Sequence, residues 1–322
     1  MSSHDIYVDE AIRELEKYIG DNRHLNSLIL LDLFFDVKEN TYLHIASGTK
    51  GVPFIEAFKV QGAFYIPYSS IKGALRRIGE TIAKSSIGNI PTSLSRILME
   101  SHVEPEGEPI VHRAHHQKEL AELMIKILNR LKGYEKGISI LNSFIPEDEI
   151  IEIEQSLKKG LLPYAIEPIL SALCPICRLL GGPGISSKIL IRDVKVHGES
   201  ITRTHIGINR KTNTVEKNVL FTLELVQPKE LSIKLTIINV HPETIEAKIL
   251  AGILKFIKEL GFWIGGRKSI GLGRIYLDEK RSKARYIRYQ ELETNTLKEY
   301  LLNPEKAPAI DINQLIRALG GS

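Results

Sequence analysis

The chain has 322 residues, of which 43% are hydrophobic and 25% charged, and its formal net charge is +4. This is ordinary globular composition with enough residues for a full core, and the mild positive charge neither requires nor excludes a nucleic-acid partner. There is no run of about eighteen apolar residues, and the N-terminus lacks the basic and apolar regions of a signal peptide. We therefore expect a cytoplasmic protein without a membrane span. Two cysteines that lie close together exclude a disulfide framework, and the many Ile, Lys and Glu residues favour a thermophilic source.

Hydrophobic periodicity predicts alternating strands and helices. In chain order these are a helix at 11–20, a strand at 25–38, a helix at 69–86, a strand at 187–196, two strands within 220–240 around "QPKE", a helix at 241–261 that ends at Gly261, and a strand at 269–279. Between them, "QKELAELMIKILNRLKG" and "DEIIEIEQSLKKG" are predicted as helices and "LLPYAIEPI" as a loop.

Without the central stretch, and with the segment 220–240 counted once, the order from the strand at 25–38 onward is β-α-β-β-α-β. This order predicts an α+β protein with a ferredoxin-like fold, a class that includes RNA-recognition domains. We expect residues 1–86 and 187–285 to form this unit. Residues 87–186 are then a partly helical insertion, and 286–322 are a C-terminal extension.

The helix start "YIPYSSIKGALRR" (65–77) combines small and basic residues. Either Ser69 or Ser70 is a candidate N-cap, and Lys72 and Arg76 add positive charge at the same end. Free amides at a helix start bind anions, so a phosphodiester is one expected ligand. A capped helix with a solvated basic face is the alternative.

The stretch "GFWIGGRKSIGLGR" (261–274) holds five glycines and three fixed positive charges. Glycines let a backbone approach a ligand closely, and the basic residues neutralise phosphates. The stretch follows a helix and precedes a strand, which is the wrong order for a dinucleotide-binding loop. The alternative is a plain glycine-rich turn. The candidate RNA contacts in it are Gly265, Gly266, Arg267, Lys268, Ser269 and Arg274.

The segment around "NRKTNT" has the turn chemistry of a hairpin. Arg203, His205, Arg210 and Lys211 lie on or near it, and such a projecting hairpin could reach across a nucleic-acid strand. An exposed hairpin with ordinary surface charge is the alternative.

The motif "CPIC" (174–177) places Cys174 and Cys177 at a spacing that chelates zinc. The remaining ligands would come from "VHRAHH" (111–116), with His112 and His115 as first candidates and His116 as the substitute. His102 lies nearby in sequence. Two buried, unligated cysteines are the alternative, and a redox pair is disfavoured because no βαβ context surrounds the motif.

The loop "HIASGTKGVPF" (44–54) contains no acidic residue that could hold a catalytic metal. His44 is a weak candidate for a general base, since a lone histidine at the end of a strand is more often structural.

Five motifs in this order resemble the RAMP superfamily, and most closely the backbone subunits of type III CRISPR–Cas effector complexes. They are "YLHIASG", "YIPYSSIKGALRR", "CPICRLLGG" followed by "SSKILIRDVKV", "THIGINRKTNT" and "GGRKSIGLGRI". The resemblance implies a ferredoxin-like palm, a projecting thumb hairpin at about 203–220, and insertions that contact neighbouring effector subunits. It also implies CRISPR RNA and complementary target RNA as partners. Family members with cysteine–histidine zinc sites strengthen the expectation of a structural Zn²⁺.

The resemblance also implies which individual residues contact RNA. Guide-RNA contacts would come from the helix start and the glycine-rich loop, together with Lys50, and the thumb with Thr204, His205, Ile208 and Arg210 would lie between guide and target.

Two positions depart from the family pattern. Tyr68 stands where a glycine is usual before the two serines, and Gly51 stands where target-cleaving members carry a metal-binding aspartate. We therefore expect an RNA-binding subunit that does not cut. The alternatives are a metal-dependent slicing subunit, an endoribonuclease that processes the CRISPR transcript with His44, and an unrelated zinc- or thiol-dependent enzyme.

Overall fold

The fold is described from a computed structural model. It covers residues 3–21, 23–38, 41–46, 54–86, 94–101, 112, 117–209, 211–212, 214–242 and 244–321. Within these ranges, no helix has both the length and the apolar character needed to cross a bilayer.

The described helices and strands are numbered separately in chain order. The helices are α1 (Ser3–Asp21), α2 (Tyr68–Ser86), α3 (Leu94–Glu100), α4 (Gln117–Lys132), α5 (Glu135–Asn142), α6 (Ile150–Lys158), α7 (Glu167–Leu173), α8 (Pro175–Leu180), α9 (Ile245–Leu260), α10 (Thr294–Leu302) and α11 (Ile312–Ala318). The strands are β1 (Ser27–Asp36), β2 (Phe54–Ile55), β3 (Lys59–Val60), β4 (Ala63–Ile66), β5 (Ile189–Ile191), β6 (Val194–Asn209), β7 (Thr214–Ile238), β8 (Phe262–Trp263), β9 (Arg274–Leu277) and β10 (Lys283–Arg288).

Four strands and two helices make the ferredoxin-like unit. The strands lie in the order β9–β1–β7–β5, with every neighbouring pair antiparallel. The C-terminal half of β7 lies between β1 and β5, so that Ile237 is paired with both Ile29 and Ile189. The predicted β-α-β-β-α-β fold is therefore confirmed, with the first and third strands as central neighbours.

Strand β1 places hydrophobic side chains on both faces of the sheet, because successive side chains along a strand point to opposite faces. Ile29, Leu31, Leu33 and Phe35 belong to the main core under the helices. Leu28 faces the other way and packs with residues of β10 and the C-terminal segment. Residues beyond β10 therefore cover part of the sheet face that the helices leave open.

The prediction of two strands around "QPKE" is wrong, because β7 runs without a break through Pro228. Pro228 lies opposite Gly198, where the pairing of β6 and β7 shifts register. A Cβ on Gly198 would lie 2.0 Å from the carbonyl oxygen of Gln227, so only glycine fits against the bend. Proline lacks an amide donor, and a bulge is where a strand tolerates that loss.

The predicted strand 187–196 is two strands with different partners. Ile189–Ile191 pairs with the C-terminal half of β7, while β6 starts at Val194 and pairs with β4 and with the N-terminal half of β7. The chain changes pairing partners at Arg192 and Asp193. As predicted, β6 and β7 form a long hairpin around the turn after Asn209, which we call the thumb hairpin.

Two helix starts differ from expectation. Helix α1 begins at Ser3, before the predicted residue 11. Helix α2 begins at Tyr68, so Ser69 and Ser70 lie in its first turn and neither is the N-cap. The end of α9 at Gly261 is confirmed, with φ of 85° at this glycine.

The inserted helices pack on the ferredoxin-like unit and share its main core. Helices α4 and α6 are found as predicted, but part of "LLPYAIEPI" is helical, since α7 begins at Glu167. Arg178 of α8 is 6% exposed and lies between the carboxylates of Glu14 in α1 and Glu246 in α9. This buried ion cluster connects the N-terminal helix, the insertion and the ferredoxin-like unit.

Candidate nucleic-acid interface and metal cluster

The glycine-rich loop, residues 261–274, is a short hairpin anchored on the segment 42–46. Strand β8 pairs with β9, and the Ile264 amide donates to the Gly273 carbonyl at 2.9 Å. The Gly266 amide donates to the His44 carbonyl at 2.9 Å, and the Gly273 amide to the Tyr42 carbonyl at 2.8 Å. The loop is therefore held in place before any ligand arrives.

Three glycines of this loop are required by the protein's own packing, including Gly261, where a Cβ would lie 2.8 Å from the Ile275 carbonyl oxygen. A Cβ on Gly265 would lie 2.4 Å from the His44 carbonyl oxygen, and one on Gly273 would lie 2.0 Å from that of Ile264. Both residues have φ above 80°, which disfavours any other side chain. Gly271 differs, because space around it is open. There is therefore steric room for close approach of a ligand backbone at Gly271 and none at Gly265.

The loop meets the base of the thumb hairpin at Phe221. The Arg267 guanidinium lies 4.6 Å from the centre of the Phe221 ring. The imidazole of His205 stacks on the same ring, with 5.4 Å between centroids and 15° between planes. Arg203 lies over the ring of Tyr42 at 5.3 Å. The structure thus brings together three of the predicted RNA contacts, on two aromatic rings that the sequence analysis did not single out. We call these five residues the basic–aromatic surface.

A small core fixes the loop and the thumb hairpin relative to each other. Leu223 and Leu225 of β7 pack with Leu272 of the loop, and all three are at most 2% exposed. Phe221 and Tyr42 pack against this cluster. The basic–aromatic surface therefore lies on a rigid junction.

His44 lies directly behind this surface and is 5% exposed. Burial lowers the pKa of its imidazole, and the nearby Arg267 and His205 lower it further, against a hydrogen bond with the backbone of Glu224. Its Nδ1 atom has no hydrogen-bond partner among the described residues. The lowered pKa keeps the His44 imidazole neutral, and the His44 backbone carbonyl accepts a hydrogen bond from the Gly266 amide. Both features suit a residue that supports the loop from beneath.

The start of α2 is already hydrogen-bonded to an anionic side chain of the protein. The amide of Tyr68 donates to the carboxylate of Asp193 at 2.7 Å, which meets part of the need of the free helix end. Ser69 is exposed, and Lys72 is half-buried with its pKa lowered by burial and by neighbouring Arg76. An RNA phosphate at this end would have to share the site with Asp193.

Two predicted RNA contacts, Arg76 and the exposed Arg274, are engaged with groups of the protein itself. Arg76 donates to the carbonyls of Leu180, at 3.1 Å, and of Gly181, so it holds the end of α8. Arg274 donates to the Leu260 carbonyl at 3.0 Å and lies between two aromatic rings. These guanidinium groups organise the palm, and the structure does not bring them to the basic–aromatic surface.

The remaining predicted residues are dispersed. Lys211 is exposed in the turn of the thumb hairpin, whereas Lys268 and Ser269 begin a short 3-10 turn in the glycine-rich loop. Lys50, Gly51, His102, Arg210, His115 and His116 lie outside the described residues.

A second cluster lies in the insertion. The ligand atoms of His112, Cys174 and Cys177 are all within 4.8 Å of one another, and all three residues are buried. Nε2 of His112 is 3.9 Å from the Cys177 sulfur, while its Nδ1 is 2.8 Å from a carboxylate oxygen of Glu167. Glu167 also accepts the His112 amide at 3.3 Å. The carboxylate thus orients the imidazole with Nε2 toward the sulfurs.

This donor set fits a zinc ion. A tetrahedral zinc with bonds of about 2.3 Å to sulfur and 2.0 Å to nitrogen puts its ligand atoms roughly 3.5–3.8 Å apart. The 3.9 Å between Nε2 of His112 and the Cys177 sulfur is close to this spacing. A histidine that donates its other nitrogen to a carboxylate is the usual arrangement at zinc. Burial disfavours the Cys174 thiolate, but contacts with Cys177, the Ile176 amide and Arg178 lower the pKa of Cys174 overall. Three of the predicted ligands therefore lie together, and Glu167 contacts one of them, His112, through its Nδ1 atom.

Sequence reasoning missed several of these residues. Tyr42 had a signal only as an aromatic residue of the motif "YLHIASG". Phe221 is the pairing partner of His205, but this follows only once the register of the hairpin is known. Glu167 had no signal, because its contact with His112 spans 55 residues.

The chain is similar to a known protein family over most of its length. The family model described as the RAMP superfamily matches residues 36–276, which include the thumb hairpin, the cysteine motif and the glycine-rich loop. No curated protein gives a significant match to the chain.

Proposed function

Since the chain belongs to the RAMP superfamily, whose members are CRISPR-associated RNA-binding proteins, we propose that it is a backbone subunit of a type III CRISPR interference complex. In this proposal it binds the guide RNA and the complementary target RNA in the cytoplasm, next to other effector subunits, and contributes to defence against viruses and plasmids.

The observation that carries the proposal is the contact of Arg267 and His205 on Phe221. Cationic and aromatic side chains in one surface are what single-stranded RNA binding uses, because phosphates pair with the charges and bases stack on the rings. The surface joins the thumb hairpin to the glycine-rich loop, so a strand bound there contacts both elements.

Binding of labelled single-stranded RNA to the purified protein tests this function. We expect binding whose affinity falls steeply with salt, and weaker binding for every RNA sequence when Arg267 and Lys268 are both changed to alanine. Equal affinity of the wild type and this double variant would contradict the proposed surface. Recovery of CRISPR RNA and other effector subunits with the tagged protein from its host tests the assignment to a complex.

We propose that this subunit does not cut RNA. The proposal rests on the sequence, since Gly51 provides no carboxylate for a divalent metal. Complementary target RNA should stay intact in the assembled complex when Mg²⁺ or Mn²⁺ is added, apart from cuts that other subunits make. Metal-dependent cuts at regular intervals that persist with every other subunit inactivated would support a slicing subunit instead.

The alternative of transcript processing depends on His44. Its imidazole is buried under the glycine-rich loop, which suits support better than proton transfer to a solvent-exposed RNA. Site-specific cleavage of repeat RNA that disappears in His44→Gln would overturn the scaffold proposal.

We also propose that the insertion holds one structural zinc ion. Cys174, Cys177 and Nε2 of His112 would bind it, with His115 or His116 as the fourth ligand. Such an ion cross-links His112 to Cys174 and Cys177, at the junction of α7 and α8, and takes no part in a reaction.

A further inference from the structure

A groove follows one face of α1, between this helix and the α4–α5 hairpin. It consists of two hollows of about 680 and 260 Å³ that follow one another along the helix. Helix α1 and the turn after it line the groove with residues at the three- and four-residue spacing of one helix face, namely Asp9, Ile12, Arg13, Glu16, Ile19 and Arg23. Val8, Ala11 and Leu15 lie on a different face and belong to the main core. The groove is therefore a face of α1 that the core does not use.

The wall opposite α1 is held in place by two contacts. The Lys136 ammonium of α5 lies 2.9 Å from the Glu16 carboxylate, where the second hollow begins. The rings of Tyr18 and Phe144 are 6.0 Å apart, and this contact fixes the segment after α5 to α1. A groove whose walls are already fixed binds a ligand without the entropic cost of ordering them.

Positive charge prevails in this groove. Four cations line it against two carboxylates, the cations being Arg13, Arg23, Arg130 and Lys136 and the carboxylates those of Asp9 and Glu16. Lys136 is paired with Glu16, whereas the three arginines are exposed and form no ion pair within the part of the chain that the structure describes. Arg13 acts on the neighbouring Glu10 only through its charge. The groove thus offers three guanidinium groups to a ligand, and guanidinium binds carboxylates in a bidentate geometry.

The lining suits a polypeptide better than a nucleic acid. The carboxylates of Asp9 and Glu16 lie among the cations and would repel a continuous row of phosphates. Ile12, Ile19 and Ile140 give the groove apolar surface that side chains of a peptide can cover. From residue 9 to residue 23 the groove is about 20 Å long at 1.5 Å per helical residue, which is room for about six extended residues.

We propose that this groove binds an acidic polypeptide segment of another protein. Carboxylates of the segment pair with Arg13, Arg23 and Arg130, and its apolar side chains lie on the isoleucines. The inference goes beyond the proposed RNA-binding function and does not depend on it, because the groove contains no residue of the basic–aromatic surface.

Synthetic peptides of about seven residues, long enough to span the groove when extended, test the proposal. An array presents them to the labelled full-length protein, with the same apolar residues and with either glutamates or lysines between them. The test variant is Arg13→Glu/Arg130→Glu. Lys280→Glu/Arg317→Glu is the matched control, because it makes the same change in charge at two exposed positions outside the groove. Thermal unfolding compares the stability of the proteins, and Arg130→Glu alone replaces the double variant if that variant does not fold.

We expect the wild type and the control to retain the glutamate peptides several-fold more strongly than the lysine peptides. The test variant should reverse this preference, which damage to the fold would not do. Equal retention of both sets by the wild type, or an unchanged preference in the folded test variant, would overturn the proposal.

Two further results would assign the groove to a different occupant and so overturn the proposal as well. One is displacement of the glutamate peptides by oligouridylate, together with weaker RNA binding by Arg13→Glu/Arg130→Glu than by the control. The other is self-association of the wild type in sedimentation that the test variant loses and the control keeps, since the occupant is then a second copy of this chain.

Discussion

The guanidinium of Arg267 lies 4.6 Å from the ring centre of Phe221, and this contact joins the glycine-rich loop to the thumb hairpin. His205 stacks on the same ring. One aromatic side chain thus positions two candidate RNA contacts from two separate elements.

Replacing Phe221 by leucine should weaken RNA binding several-fold. The variant keeps an apolar side chain in the small core but loses the cation–π contact, about 0.5–1 kcal/mol, and the ring stacking, about 0.5–1.5 kcal/mol. Anisotropy of labelled RNA measures the affinity, and denaturant unfolding measures the stability.

Phe144→Leu is the matched control, because Phe144 pairs with Tyr18 at 6.0 Å in the part of the protein far from the loop. It should lose similar stability and bind RNA normally. If Phe221→Leu also binds RNA as the wild type does, Phe221 does not organise the surface.

Removing a proposed zinc ligand should release the metal and destabilise the insertion. Cys177→Ser should purify with less than one equivalent of zinc and unfold at lower temperature, because the ion's binding energy contributes to folding. Metal analysis by mass spectrometry and thermal unfolding measure the two effects.

Glu167→Gln tests the carboxylate that orients His112. The side chain keeps its size but loses its charge, so zinc affinity should fall about 10–100-fold. A wild-type protein that purifies without zinc, and whose unfolding temperature does not respond to a chelator, would refute the metal proposal.

His44 should make the protein less stable in mild acid. Its pKa in the folded state is below its ordinary value of 6.5, so below pH 6.5 the unfolded chain binds the proton first and stability falls as pH falls. The loss is at most about 1.4 kcal/mol per pH unit. Denaturant unfolding at pH 7.5 and 5.5 should show a smaller difference for His44→Gln than for the wild type. Identical pH dependence would mean that His44 is as easily protonated in the fold as in the unfolded chain.

Two glycine substitutions, one at the bend of the thumb hairpin and one in α2, should change the free energy of unfolding in opposite directions. Gly198→Ala should destabilise the protein by about 1–3 kcal/mol, because the new Cβ would clash with the Gln227 carbonyl. Gly73→Ala in α2 meets open space and should stabilise it by about 0.5–1 kcal/mol. Denaturant unfolding of both variants is the measurement. A Gly198→Ala protein as stable as the wild type would show that β6 and β7 are not bent together there.

The order of elements was predictable because hydrophobic periodicity is a local property. The positions where prediction failed depend on distant partners. Pro228 predicts a break between two strands, but Gly198 on the neighbouring strand accommodates it within β7. Ser69 and Ser70 resembled caps, but the carboxylate that binds the first amide of α2 is Asp193, 125 residues away.

The candidate site shows the same limit. The histidine-rich segment made His112 a candidate partner of the two cysteines, and the structure brings the three together. The basic residues of the loop were visible as a cluster. The sequence did not show that these basic residues separate into three groups, since this depends on the direction of each side chain in the fold. Arg267 faces the thumb hairpin, Lys268 faces α2, and Arg274 holds the end of α9.

The central claim is that RNA binds across Arg267 and the thumb hairpin, and the salt dependence of binding tests it most directly. The slope of log affinity against log salt changes by about 0.7 for each phosphate contact with a single strand. The wild type should show a steep slope, and the Arg267→Ala variant a slope shallower by about 0.7 with lower affinity for every sequence. An Arg267→Ala variant with the wild-type slope and affinity would contradict the account.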